Sequence, residues 1–196
     1  LLGRDLLVKP VTDAHAHSVF VHFPGDQPWV DVRSGQARGP GGVDVPAPLD
    51  VIPVHQRPGS IVPRQVRPRR CSSLMRRDPY ELTVVADRAG RATGRLFLDA
   101  GDGDEFRTRG LFRLREFNLH DNVLASRLAA GSKAFAADNE VERIVILGLG
   151  REPEAVRVTG GDAPIAVDFD YDKAADRIVL RRPGVKVAYD WRIEIQ

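Results

Sequence analysis

The chain holds one cysteine, Cys71, and one methionine, Met75. A single thiol excludes an internal disulfide and a zinc knuckle built on paired thiolates. Lysine is scarce too, at four residues against twenty-five arginines. That skew runs along the whole chain and reads as genome composition. No apolar stretch approaches the roughly 20 residues of a membrane span. No signal peptide opens the chain, and its first residue is Leu1 rather than Met; this reads as a fragment and leaves the compartment open. Walker loops, a Gly-x-Ser-x-Gly elbow and internal repeats are all missing.

What is present is globular. The 196 residues are 42% hydrophobic and 29% charged, enough for one domain or two small ones. Glycine and proline, at 18 and 14 residues, favour many turns over long helices. The net charge is only +2, yet arginine clusters locally at Arg57, Arg64, Arg67, Arg69, Arg70, Arg76 and Arg77, with no acid among residues 51–77.

Period-2 alternation dominates, as expected where side chains alternate across a pleated strand. Val185, Val187, Tyr189, Trp191, Ile193 and Ile195 predict one long strand with a buried face. Ile165, Val167, Phe169 and Tyr171 alternate with acids in the same way, and Ile178 and Leu180 sit between charges. Shorter strands are expected at Leu6 to Val11, Val19 to Phe23, Val51 to Val54, Tyr80 to Ala86, Leu96 to Leu98, Leu111 to Phe117 and Val141 to Leu147. Asp87-Arg88-Ala89-Gly90, Pro24-Gly25-Asp26 and Gly160-Gly161-Asp162 supply the reversals. The one helix expected lies within Leu124 to Ala137, interrupted by Gly131.

These patterns predict an all-β chain of antiparallel sandwich or barrel type. A boundary is expected near Arg77-Asp78-Pro79, with a small β-domain before it and a larger one after. Leu1 to Thr12 read as one apolar strand with no partner nearby.

Candidate chemistry is sparse. His15, His17 and His22 are close enough to consider zinc, but no carboxylate or thiolate completes a ligand spacing, and surface histidines are the plainer reading. Asp99, Asp102, Asp104 and Glu105, flexed by Gly101 and Gly103, suit calcium in composition, but the EF-hand spacing fails at Gly101 and a solvated loop is favoured. Gly148-Leu149-Gly150 follows a strand as a dinucleotide fingerprint does, but Pro153 stands where the third glycine belongs. Cys71 sits among arginines that favour thiolate, without a catalytic partner. Trp29, Trp191 and Tyr80 are candidates to stack on a sugar, although the alternation around Trp191 marks it as core. The arginine run suits phosphate, but lacks interleaved aromatics and alternates with Pro and Val as a connecting segment does.

Several segments resemble glycoside hydrolase family 31, in order along the chain. Leu1-Leu2-Gly3-Arg4-Asp5-Leu6-Leu7-Val8-Lys9-Pro10-Val11 is similar to the family's "LLG-x-x-LLV-x-PV". Val19 to Gly25 followed by Trp29-Val30-Asp31, Leu49 to Pro63, and Gly94-Arg95-Leu96-Phe97-Leu98-Asp99-Ala100-Gly101 resemble later family motifs. Within the family, Arg69 to Pro79, Glu142 to Gly148, Arg182 to Val185 and Asp190-Trp191 resemble the subgroup of glucosidase II α subunits. Pro58, His55 and Ala100 depart from the family's usual Gly, Phe and Asp.

The resemblance implies the last strand of a (β/α)8 barrel at residues 1–12. A proximal C-terminal β-domain at 13–77 and a distal β-sandwich at 78–196 follow it. It implies a parent that is a retaining α-glucosidase of N-glycan processing in the endoplasmic reticulum lumen, acting on an oligosaccharide through two carboxylates. Its partners are the missing barrel of the same chain and a glucosidase II β-type subunit, with no nucleic acid and no membrane span. The family's nucleophile motif "W-x-D-M-N-E" does not occur, since Trp29-Val30-Asp31 lacks the rest, and its acid/base residue also lies upstream. Catalytic, cofactor-binding and metal-ligating residues in this chain are therefore none, and the chain alone is expected to be inactive. The competing reading is a stand-alone carbohydrate-binding sandwich module, with Trp29 and Tyr80 lining a groove.

Overall fold

The computed structural model of the chain describes residues 1–132, 135–160 and 163–196. Six short strands come first: β1 (Leu6–Val8), β2 (Ser18–Phe23), β3 (Trp29–Asp31), β4 (Ala37–Arg38), β5 (Gly41–Pro46) and β6 (Val54–Gln56). They form a four-stranded sheet in the order β1-β6-β3-β4 and a β2-β5 ribbon. The remainder is β7 (Ser60–Arg64), β8 (Tyr80–Val85), β9 (Ala92–Leu98), β10 (Arg113–His120), β11 (Val123–Leu128), β12 (Val141–Leu147), β13 (Val156–Thr159), β14 (Ile165–Ala166), β15 (Phe169–Asp172), β16 (Arg177–Arg181) and β17 (Trp191–Ile195). These eleven pair as one curled sheet, β14-β13-β17-β11-β10-β9-β7-β8-β12-β16-β15. Among the described residues no helix is long and apolar enough to cross a membrane.

The long sheet makes a sandwich with itself. Leu82 and Val84 of β8, Ile144 and Ile146 of β12, and Ile178 and Leu180 of β16 share one core with Phe117 and Leu119 of β10, Leu124 of β11 and Ile193 of β17. Each fully buried side chain of this kind contributes roughly 1.5–3 kcal/mol. The two halves meet where β7 runs parallel to β9, joined at the single pair Ser60–Thr93. The backbones can approach there because residue 94 is glycine. A Cβ on Gly94 would fall inside the envelope of the Ile61 carbonyl oxygen and lie 2.8 Å from Ile61 Cβ.

Sequence and structure part at several points. The sheet is not purely antiparallel, since β8 pairs with β12 in parallel over its whole length, as β7 does with β9 at its one contact. The apolar opening has a partner: β1 pairs antiparallel with β6, and Leu7 packs on the cluster of Val21, Phe23, Trp29 and Val45. Strand β7 lies before the Arg77 boundary yet pairs with β8. The small sheets end at Gln56 and the large sheet begins at Ser60.

The expected helix at Leu124 to Ala137 is instead strand β11 over its first part. Asp121 and Asn122 both take positive φ, the geometry of a tight hairpin turn, and β11 folds back on β10 in full register. Lys133 and Ala134 of that stretch lie outside the described residues, as do Gly161 and Asp162 of the expected 160–162 turn. Among the described residues the only α-helix is one turn, Glu105–Thr108.

Ile165 to Tyr171 is not one strand either. It splits into β14 and β15, which pair with β13 and β16 at opposite ends of the sheet order, leaving Ile165 exposed. The C-terminal alternation likewise breaks: only Trp191–Ile195 is strand, and Tyr189 is 53% exposed. Val185 to Asp190 crosses from β12 to β17, through the Val141 N–H donating to Val185 O on one side and Arg115 on the other.

Arg115 holds that crossing. Its guanidinium is 1% exposed and donates to Ser126 Oγ (2.8 Å), Tyr189 O (2.7 Å) and Asp190 Oδ1 (2.7 Å). Burial lowers its pKa, and Asp190 opposes that shift. Replacing Arg115 with Ala leaves the Tyr189 carbonyl and Ser126 without their donor, so the urea midpoint should fall by the equivalent of about 3 kcal/mol. Gly94→Ala should cost a similar amount, about 3 kcal/mol, by forcing β7 off β9. An unchanged thermal midpoint for Gly94→Ala would show that the seam is not close-packed.

Candidate functional site

Among the described residues, two concavities are lined by polar side chains. The larger, about 860 Å³, opens where the N-terminal segment crosses the face of β7, β9 and β10. It holds two carboxylates, Asp5 and Glu116, each tied to an arginine. Arg57 donates to Asp5 Oδ1 at 3.0 Å, and Arg95 lies 2.8 Å from Glu116 Oε1. Both carboxylates are partly exposed, at 32% and 45% of the side chain. A glycosidase acid needs a dry setting that keeps it protonated, and these two are ion-paired and wet.

The smaller concavity, about 150 Å³, lies between the Asp31 to Gly35 turn and the outer face of the large sheet. Its buried acid, Glu81, is gripped by Arg64 and Arg143. Both arginines stand on neighbouring strands, so the cluster ties strand to strand. At the same junction Val30 packs on Val85 and Leu147, and the Gln56 carboxamide nitrogen reaches Ser60 O (3.2 Å), Ser60 Oγ (3.1 Å) and Thr83 O (3.0 Å). Arg88 adds an exposed link to Asp26.

Beside this junction sits His55, fully buried. Its ring stands edge-on to Phe23, with centroids 4.7 Å apart. Its Nε2 is 3.7 Å from Asp31 Oδ2, too far for a hydrogen bond, and neither ring nitrogen has a partner. Burial pushes the His55 pKa below its usual value; Asp31 raises it and Arg38 lowers it further. Burial alone would raise the Asp31 carboxyl, but the Ser34 amide, the Ser34 hydroxyl and the Arg33 amide outweigh it and hold it below the carboxylate range.

The candidate residues do not converge. His15 and His17 are in an exposed turn and His22 is on the exposed face of β2. Among the described residues no three His, Cys, Asp or Glu side chains group as metal ligands. Asp104 and Glu105 pair with Arg107 and Arg109 around the one-turn helix, and Asp99 Oδ1 accepts the Gly101 N–H. Gly148 and Gly150 turn the chain after β12, their N–H groups satisfied by Asp176. Cys71 is exposed, its pKa lowered by the Ser73 hydroxyl.

Trp29 is buried, its indole donating to Pro24 O, and Trp191 is buried against Phe117. Tyr80 is half-buried and packs on the large core. No aromatic platform for sugar forms from these three. Most of the arginine run is spent internally, on Asp5, Glu81, Glu142 and Asp78. The sequence alone assigned no buried polar role to His55 or Arg115. The first was visible as a departure from an apolar position, the second as a charge in phase with Phe117 and Leu119.

Residues 1–62 match the glycosyl hydrolase family 31 C-terminal domain. The whole chain is 42% identical over 198 residues to neutral alpha-glucosidase AB of Sus scrofa, covering 100% of this chain and 21% of that protein. The chain belongs to glycoside hydrolase family 31. The crystal structure of an ER glucosidase II heterodimeric complex of catalytic subunit and regulatory-subunit binding domain superimposes with a TM-score of 0.88 and 29% identity, over 97% of this chain and 22% of that one. A glucosidase II alpha subunit bound to alpha3-Glc2 gives 0.85 and 27%, over 97% and 22%. The chain thus spans about a fifth of the length of these family 31 relatives.

The orphaned His55 yields a pH prediction. In the folded chain His55 stays neutral below pH 6.5, while the unfolded chain takes up a proton there. Stability therefore falls as pH drops from about 7 towards 5, until the folded pKa is passed. His55→Phe keeps the ring contact and removes two unpaired buried nitrogens, so it should be more stable at pH 7 by about 1–2 kcal/mol. It should also lose that part of the acid dependence. Urea titrations of both proteins across this range check the point.

Proposed function

We propose that this chain is the C-terminal β-region of a retaining α-glucosidase of the glucosidase II α type. The parent removes α-linked glucose from N-glycan oligosaccharides in the endoplasmic reticulum lumen, with a β-type regulatory subunit as its partner. The observation that carries this reading is the unbroken similarity to neutral alpha-glucosidase AB along all of the chain. A glucosidase II relative crystallised with a regulatory-subunit domain, and another with alpha3-Glc2, support the partner and the substrate class.

On this reading the residues before β2 lead out of the catalytic barrel, and the small and large sheets are its proximal and distal C-terminal domains. The double displacement runs on two carboxylates of the barrel. The present chain contributes a rigid β support, and Asp5 and Glu116, both ion-paired, take no part in catalysis.

Two measurements test this. The purified chain should give no turnover of an aryl α-glucoside. A chimera of the Sus scrofa relative, with this chain in place of its own matching segment, should hydrolyse the same substrate. Hydrolysis by the chain alone that disappears in Asp5→Asn or Glu116→Gln would overturn the assignment, as would a folded but inactive chimera.

A further inference from the structure

The connection between β7 and β8 contains five arginines and no acid from Val66 to Arg77, and every residue in it except Met75 is exposed. It is nonetheless held tightly. Asp78 is buried and its carboxylate accepts a two-pronged donation from Arg69, which lowers the Asp78 pKa. The Asp78 carbonyl accepts from Gln65 Nε2 (3.0 Å) and Asn139 Nδ2 (2.8 Å). The same two amides also bind Met75 O and Arg76 O, and Arg67 reaches both oxygens of Glu142. Both ends of the loop are thus clamped to the large sheet.

The clamp consumes Arg67 and Arg69. Arg70, Arg76 and Arg77 have no carboxylate partner among the described residues, and Val66 and Leu74 are exposed beside them in sequence. The chain as a whole carries only +2, so this concentration of positive charge belongs to the loop. Guanidinium groups mixed with aliphatic side chains on a preformed surface are the chemistry of a protein interface. Arginine is enriched at such contacts, and a loop already ordered loses little entropy on binding. The loop has no aromatic ring on which a base could stack, which weighs against single-stranded nucleic acid.

We infer that residues 66–77 form a docking surface for an acidic segment of a partner protein, with Arg70, Arg76 and Arg77 as the contacting charges. This goes beyond the glucosidase reading and does not depend on it. Fluorescence anisotropy of a labelled octapeptide of glutamates interrupted by leucines, titrated with the full chain, is the test. The peptide should bind saturably at about 50 mM salt and weaken several-fold at about 200 mM. Binding to R70E/R76E/R77E should be at least about tenfold weaker. Arg70→Gln alone should weaken it about two- to threefold, which keeps the test decisive if the triple variant misfolds. Absence of saturable binding, equal affinity of the variants, or tighter binding of single-stranded DNA through the same arginines would each overturn the inference.

Discussion

The close approach of Ile61 to Gly94 governs the architecture. An eleven-stranded sheet left open would expose two apolar faces and two edges. Here it curls until β8, β12 and β16 face β10, β11 and β17 across one core. The fold line is the β7–β9 seam, which has almost no ladder of its own. Contact there depends on a missing Cβ, so β7 and β9 approach this closely only with glycine at position 94. The segment from β14 to β15 and the crossing at Val185 to Asp190 then strap the halves together on either side.

The small sheets depend on that sandwich in turn. They meet it through a few apolar contacts at Val30 and a set of buried polar groups at Gln56, Ser60 and Thr83. Glu81 with its two arginines stiffens the strands beneath. Arrangements of this kind position elements more than they stabilise them, because desolvating the charges offsets much of their attraction. His55 is the exception, a polar ring without partners where the family pattern has an apolar one.

The absence of a usable acid pair from both concavities follows from the same architecture. A glycosidase acid must stay protonated near neutrality and therefore needs desolvation without a cation beside it. In this chain the carboxylates in both concavities are paired with arginine or, like Asp31, hydrogen-bonded to amides. On the proposed reading, the chemistry belongs to another part of the family 31 enzyme.

Local alternation made the β class legible, along with the strands at Val19 to Phe23, Tyr80 to Val85 and Val141 to Leu147 and the turn at Asp87 to Gly90. These rest on neighbours in the chain, which a linear reading sees. The ordered motifs likewise made the family legible. Tertiary structure alone decided the rest. It turned Val123–Leu128 into a strand by offering β10 and β17 as hydrogen-bonding partners, and it bent the terminal alternation at Tyr189 because Arg115 takes that carbonyl. It also gave Leu6–Val8 a partner nearly fifty positions away and tied Arg64 and Arg67 to acids on other strands, Glu81 and Glu142. Pairings between distant segments depend on which surfaces the whole fold brings together, and no window along the sequence contains both members.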